Sequence, residues 1–379
     1  MFYKDFKGRK LSALGFGMMR LPRVEGGKEP DVDEAAARRM VNRAIKAGVN
    51  YFDTAWFYHG GNSEIFAGKA LTEYPRESYY IADKYPGVVP GNWDKVEEIF
   101  ETQLKRMQAD YFDFYLFHNV CEMNIDAYLD DEKFGIHKYL IEQKEKGRIR
   151  HLGFSCHGEI DVLRRFLDAY GDELEFCQLQ VNWFDWIFQG CKEKVELLEE
   201  RGVPVWVMEP LRGGRLANLP PQYNDVLKRL RPDEDAAAWA FRFLQSIPSV
   251  TIVLSGMSND EQLEKNIATF AEEKPLTDEE MAALLEIAEE MSSAGMVPCT
   301  ACRYCTSHCP MELDIPRLIS LYNEKTMTPG GFIVPMAIIA LPENKRPNAC
   351  LHCRSCEQAC PQQIKISEVM ESFASKLGR

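Results

Sequence analysis

Eight short apolar runs, each followed by an amphipathic stretch, govern what this chain can fold into. The runs lie near residues 14–17, 49–53, 79–83, 111–117, 149–155, 175–181, 203–208 and 250–254. Helical patterns follow at 33–47, 63–73, 93–109, 133–146, 159–170, 190–201, 234–245 and 260–271. Strands that are apolar on both faces belong to a parallel sheet covered by helices. Eight strand–helix units within about 270 residues predict an α/β fold, a (β/α)8 TIM barrel. An open doubly wound sheet is the alternative, but no glycine-rich dinucleotide fingerprint follows an early strand. Residues 2–13 read as a hairpin around Gly8 that precedes the first barrel strand. Thr277 and Glu280 form a capping box opening a helix to about Ser292, and the chain then breaks at Gly295. The expected domains are therefore 1–294, the barrel, and 295–379, a small and mainly helical unit.

The second unit carries an internal duplication. Cys299, Cys302, Cys305 and Cys309, followed by Pro310, return 51 residues later as Cys350, Cys353, Cys356 and Cys360, followed by Pro361. The match continues, with Leu313-Asp314-Ile315 repeated as Ile364-Lys365-Ile366. Paired zinc knuckles need four ligands, not two sets of four with a proline after each. The spacing resembles bacterial two-cluster ferredoxin modules, over roughly residues 299–361. That resemblance implies two 4Fe-4S clusters held by the eight cysteines. It also implies that the fourth cysteine of each set crosses to the other cluster, so that Cys309 joins Cys350, Cys353 and Cys356. His308 and His352 are then bystanders. Cys121, Cys156, Cys177 and Cys191 have no ligand spacing and read as small buried residues.

In the barrel, polar residues gather at strand ends, where a barrel of this kind builds its active site. Asp53 closes the second run, and Tyr58 follows on the adjoining loop. Lys84 ends the third run and His118 the fourth. Alone, Asp53 is read equally well as a turn cap and His118 as a core histidine. Together the four resemble the catalytic tetrad of the aldo/keto reductase family, and the likeness extends over the first three quarters of the chain. It implies that Asp53 keeps Lys84 charged and that Lys84 lowers the pKa of Tyr58. Tyr58 then gives a proton to a carbonyl oxygen that His118 orients.

The same resemblance implies a nicotinamide site, for NADP or NAD. Its candidate contacts are Gly17, Met18, Asp53, Ser155, Gln180, Met208, Pro210, Leu211, Gly213, Gly256, Ser258, Gln262 and Asn266. Met208 stands where the family has an aromatic ring against the nicotinamide. The loop after Ser255 has no basic residue before Lys265 but two acids, Asp260 and Glu261, which weakens the case for a 2′-phosphate. Arg20, Arg212 and Arg215 read as solvated rim charges, and Trp56, Tyr85 and Trp93 as candidate pocket walls.

A net charge of −13 argues against nucleic acid as a partner. No apolar run reaches the length of a membrane span and no leader is recognisable, so the expectation is a cytoplasmic protein without membrane attachment. The expected activity is a nicotinamide-dependent oxidoreductase acting on a small-molecule carbonyl or alcohol. A nicotinamide delivers two electrons and a 4Fe-4S cluster takes one. This mismatch leaves room for a flavin and points to a ferredoxin-like or flavoprotein redox partner. The rival readings are an electron-transfer subunit whose barrel binds a flavin or docks a partner, and a non-catalytic nicotinamide-binding redox sensor.

Overall fold

The computed structural model describes residues 1–24, 26, 31–293, 296–299 and 301–378. The chain divides into two compact units, Met1–Ala288 and Glu289–Arg379. The division falls inside the helix Asp278–Ser293; the break expected at Gly295 lies outside the described residues. The capping box at the start of that helix is formed in both directions. Thr277 N donates to Glu280 Oε2 at 2.8 Å and Glu280 N donates to Thr277 Oγ1 at 3.3 Å.

The first unit opens with a hairpin, β1 (Tyr3–Phe6) and β2 (Arg9–Ser12). Eight parallel strands then close a barrel: β3 (Leu14–Gly17), β4 (Tyr51–Asp53), β5 (Tyr80–Tyr85), β6 (Phe112–Val120), β7 (Ile149–Cys156), β8 (Cys177–Gln180), β9 (Val205–Met208) and β10 (Val250–Ser255). They pair in chain order, and β10 closes on β3. The interior is packed by Tyr51, Phe114, Phe176, Trp206 and Ile252, all with no exposed surface. Phe6 from the hairpin joins them, its ring 5.0 Å from that of Trp206 and 5.8 Å from that of Phe114. The hairpin thereby plugs the N-terminal end of the barrel, and the site is left to the C-terminal end.

Eight helices cover the strands, including α1 (Glu34–Lys46), α2 (Asn62–Leu71) and α3 (Val96–Met107). All eight fall within a few residues of the expected ranges. Three further helices, Ile125–Leu129, Asp185–Phe188 and Pro221–Leu230, were not expected from the sequence. In the last, Pro220-Pro221 reads as loop punctuation. A proline at the first helical position nevertheless costs nothing, because the N–H it lacks would have had no partner in the helix.

The second unit shows the duplication in its backbone. Helices Ile315–Met327 and Ile366–Lys376 begin 51 residues apart. Left-handed residues recur in the same register, Ala301, Arg303 and Glu312 being matched by His352, Arg354 and Gln363. The core is built from equivalent residues: Leu313 with Ile364, Ile315 with Ile366, Ile319 with Met370. Tyr322 and its counterpart Phe373 meet edge to face at 5.9 Å. No helix among the described residues is long and apolar enough to cross a membrane.

Candidate active site and thiol loops

Asp53 is the last residue of β4 and Lys84 the penultimate residue of β5, so neighbouring strands bring the two together. Lys84 Nζ donates to Asp53 Oδ1 and to the carbonyl oxygen of Thr54, both at 2.6 Å. The Lys84 side chain has no exposed surface. Burial lowers its pKa most strongly, but the attraction and hydrogen bond of Asp53, with smaller contributions from Tyr58 and Asp83, together outweigh that effect and hold the lysine above its ordinary value, hence charged.

Tyr58 opens a tight turn that contains the left-handed residues His59, Gly60 and Gly61. Its ring centre lies 5.1 Å from Lys84 Nζ. Burial raises the pKa of the phenol by more than Lys84 lowers it, so Tyr58 titrates above its ordinary value. The lowered phenol expected from the lysine is not found, because burial outweighs the lysine's charge.

His118 lies two residues before the end of β6, not at a strand end. The β6–β7 register breaks between Phe117 and Val120, and Asn119 is left-handed there. Such a bulge bends the strand and re-aims the side chain beside it. The His118 ring stands edge-on to Tyr58, with centroids 6.3 Å apart. Burial, then the charges of Lys84 and His157, push its pKa well below the ordinary value, so the imidazole is neutral.

A cleft of about 430 Å³ opens beside these residues. Asp53 and Tyr58 line it, as do Gly17, Met208, Pro210, Leu211, Gly213, Gly256, Ser258, Gln262 and Asn266. Met18, Ser155 and Gln180 do not line it. Met18 is fully buried. Ser155 Oγ accepts from Asn119 N at 2.7 Å and so braces the β6 bulge. Gln180 Nε2 donates to Asp185 Oδ2 at 2.9 Å. Gln178, Glu209 and Asp235, which are not among the candidate contacts, also face the cleft, as do Arg20, expected as a rim charge, and Lys265. Gln178 and Gln180 share a face of β8 by alternation, so only strand register separates them.

Several expected rim and wall residues lie elsewhere. Arg212 is buried, and its Nε donates to both Asp185 oxygens at 3.0 and 3.2 Å. It is therefore a structural clamp and not a solvated charge. Tyr85 neighbours Lys84 in β5 and so points to the helix side, where its hydroxyl donates to the Asn92 carbonyl oxygen at 2.6 Å. Trp93 donates to the Gly87 carbonyl oxygen at 2.7 Å, and Trp56 lies beneath the Arg106 guanidinium.

Two buried acceptors in the cleft, Asp53 Oδ2 and Gln178 Oε1, have no hydrogen-bond partner among the described residues. A buried acceptor without a donor is costly. An amide- and hydroxyl-bearing ligand such as a nicotinamide nucleotide fits that need.

In the second unit the thiols ring two small apolar voids. One is lined by Cys309, Cys350, Cys353 and Cys356, the other by Cys299, Cys302, Cys305 and Cys360. These are the crossed sets. Leu313 N donates to Cys309 Sγ at 3.4 Å. Two sets of four thiols around separate voids, on loops turned by repeated left-handed residues, fit 4Fe-4S clusters. No three His, Cys, Asp or Glu side chains among the described residues converge on a single ion. The remaining cysteines, Cys121, Cys156, Cys177 and Cys191, are all buried.

Residues 13–289 match the family model of the aldo/keto reductase family, and residues 298–364 match that of the 4Fe-4S dicluster domain. L-galactose dehydrogenase of Arabidopsis thaliana is 27% identical over 307 residues, covering 74% of this chain and 92% of that protein. The NADH-specific methylglyoxal reductase of Escherichia coli (strain K12) is 25% identical, covering 74% and 96%. Among solved structures, the holo form of aldo-keto reductase AKR11C1 from Bacillus halodurans is 27% identical, with a TM-score of 0.60 over 76% of this chain and 96% of that one. An aldo/keto reductase from Klebsiella pneumoniae, in complex with NADP and acetate, shares the fold at 21% identity and a TM-score of 0.57, over 74% and 93%.

Proposed function

The chain belongs to the aldo/keto reductase family, and on that premise we propose that its barrel passes a hydride between a nicotinamide dinucleotide and a small carbonyl compound or alcohol. It is an oxidoreductase of that family carrying a 4Fe-4S dicluster domain. The observation that carries the reading is the buried Lys84–Asp53 pair, 2.6 Å long, set 5.1 Å from the Tyr58 ring beside the cleft. A docking body or a sensor has no need to bury a charged lysine against a tyrosine.

When bound, the nicotinamide supplies the hydride. Gln178, Met208, Gly213, Gly256, Ser258, Gln262 and Asn266 would hold the dinucleotide, while Ser155 and Gln180 would act through Asn119 and Asp185. Tyr58, kept protonated at neutral pH by burial, transfers its hydroxyl proton to the substrate oxygen as the carbon is reduced. The Lys84 ammonium stabilises the phenolate left behind, and solvent then restores the proton. Neutral His118 donates an N–H to the same oxygen and fixes its direction. Lys265 at the cleft pairs with Glu261 at 2.9 Å and with Asp235 at 3.6 Å. That pairing leaves it poorly disposed to a 2′-phosphate and favours NAD(H) over NADP(H).

The eight thiols would hold two clusters in the crossed sets, and these would supply one-electron transfer to a ferredoxin-like or flavoprotein partner. The conversion between hydride and single electrons is chemistry that a flavin, free or on the partner, would supply. The test is to mix oxidised, flavin-free protein anaerobically with a small aldehyde and NADH or NADPH. Aldehyde reduction, faster with NADH and without bleaching of the clusters, supports the reading. Cluster bleaching at the rate of turnover, or no aldehyde reduction with either nucleotide, contradicts it.

A further inference from the structure

The turn that carries Tyr58 has little regular structure to hold it. Three consecutive left-handed residues follow the tyrosine, with φ of 51°, 62° and 93° at His59, Gly60 and Gly61. The turn is gripped from outside by one guanidinium. Arg106, near the end of α3, donates from Nη1 to Glu64 Oε2 at 2.7 Å, and its guanidinium lies 4.0 Å from the Trp56 ring centre. Trp56 and Glu64 stand on either side of Tyr58 in the sequence, so the single side chain spans the whole turn. Gly61 makes room for it: a Cβ there would stand 3.2 Å from Arg106 Nη1.

The other side of Glu64 ties the turn to the Lys84 strand. Gln103, one helical turn before Arg106, donates from Nε2 to Glu64 Oε1 at 2.9 Å and to the Lys84 carbonyl oxygen at 3.0 Å. Tyr115 donates its hydroxyl to Gln103 Oε1 at 2.5 Å, which fixes the orientation of the amide. Glu64 and Gln103 have no exposed surface, whereas the Arg106 side chain is 27% exposed. Residues 103 and 106 lie on one face of α3, three apart. This face therefore sets where the Tyr58 turn sits relative to the backbone of Lys84. Tyr58 itself is outside the strands, and past the turn Ser63 Oγ hydrogen-bonds Thr54 Oγ1 at 2.8 Å and the Met18 carbonyl oxygen at 3.1 Å, so the far end of the turn is anchored there while Arg106 and Gln103 act on Glu64.

We infer that Arg106, Glu64 and Gln103 are positioning residues that hold the Tyr58 hydroxyl in register with the Lys84 ammonium. The inference rests on the assignment of Tyr58 as proton donor. Loosening the clamp makes proton donation the slow part of turnover and leaves the dinucleotide contacts, which lie on other loops, unchanged.

The experiment compares wild type with Arg106→Met, Arg106→Lys, Glu64→Gln and Tyr58→Phe. Single-turnover aldehyde reduction is measured in H2O and in D2O, together with nicotinamide binding. Arg106→Met is expected to slow reduction about 10- to 100-fold, the range that a small misplacement of a reacting group costs. Its solvent isotope effect should rise above that of wild type while nicotinamide affinity is unchanged. Glu64→Gln should behave in the same way, and Arg106→Lys should recover part of the rate. A variant that is merely part-unfolded keeps the wild-type isotope effect, because its active fraction is unaltered. Wild-type rates in Arg106→Met and Glu64→Gln, beside an inactive Tyr58→Phe, would overturn the inference alone. So would lost rate matched by lost nicotinamide binding with an unchanged isotope effect. An active Tyr58→Phe would overturn the assignment of Tyr58 as donor, and the inference with it.

Discussion

Lys84 and Asp53 form an ion pair 2.6 Å long in which the lysine side chain has no exposed surface and the carboxylate side chain 4%. The pair joins neighbouring strands at the cleft and fixes the Lys84 ammonium in place beside Tyr58. Removing one partner of a buried pair leaves the other charge unpaired, which costs about 3–5 kcal/mol. Asp53 in a Lys84 variant therefore takes up a proton, and Tyr58 loses the cation that opposes its burial.

The direction of pH dependence follows. Reduction needs the phenol, oxidation the phenolate. Because Tyr58 titrates above its ordinary value, aldehyde reduction should vary little between about pH 6 and 8, where an unperturbed tyrosine is already protonated. Alcohol oxidation should climb through the alkaline range. In Lys84→Met the climb should move to higher pH and the rate of both directions fall. Parallel pH–rate profiles for the two directions in wild type and variant provide the check; an unshifted oxidation limb in Lys84→Met would contradict it.

A second pair of acids lies on the helix side of the same strand. Asp83 is fully buried, its Oδ1 accepts from Lys84 N at 2.8 Å, and its carboxyl feels the charge of Glu64. Burial, then the Glu64 charge, raise its pKa well above the ordinary value, against smaller opposing effects from Lys84. The folded state thus binds this proton more tightly than the unfolded chain does. The stability so gained is complete below the unfolded value, about 3.9 for an aspartate, and is lost as pH rises toward the folded value. Asparagine keeps the acceptor and has no proton to lose. Asp83→Asn should match wild type in stability near pH 4 and exceed it increasingly toward pH 8, read as a melting temperature that rises above that of wild type with pH. A constant difference across that range would show that Asp83 is ionised throughout.

The barrel was legible because its strands are short, apolar on both faces and evenly spaced, and Leu14–Gly17 was placed to the residue. The candidates Asp53, Tyr58, Lys84 and His118 stand out in the sequence because polar residues at or near the ends of apolar runs are conspicuous. Other features were hidden for physical reasons. Periodicity does not show that Gln178 faces the cleft while Gln180 serves Asp185, since both lie on one face of β8. Nor does sequence reveal that Arg212 reaches a buried carboxylate, or that burial outweighs Lys84 at Tyr58. Those outcomes depend on depth, which a linear pattern does not record. The clamp of Arg106 on Glu64 spans 42 residues and has no local signature.

The thiol loops carry their own test. Cys309 shares a void with Cys350, Cys353 and Cys356, not with its own triplet. Cys309→Ala should perturb the cluster of the C-terminal triplet and spare that of Cys299, Cys302 and Cys305. Paramagnetic resonance of the reduced variant, beside that of Cys360→Ala, distinguishes the two. A change confined to the N-terminal triplet's cluster in Cys309→Ala would refute the crossed arrangement.

The most direct measurement for the barrel is single-turnover reduction of a small aldehyde by Tyr58→Phe preloaded with reduced nicotinamide. Removing one oxygen leaves the shape of the site and the dinucleotide contacts in place but deletes the proton donor. The account predicts nicotinamide binding close to wild type, and hydride transfer slowed by about 100- to 10,000-fold, the range for a lost general acid. Hydride transfer at the wild-type rate, or a loss of nicotinamide affinity as large as the loss of rate, would contradict it.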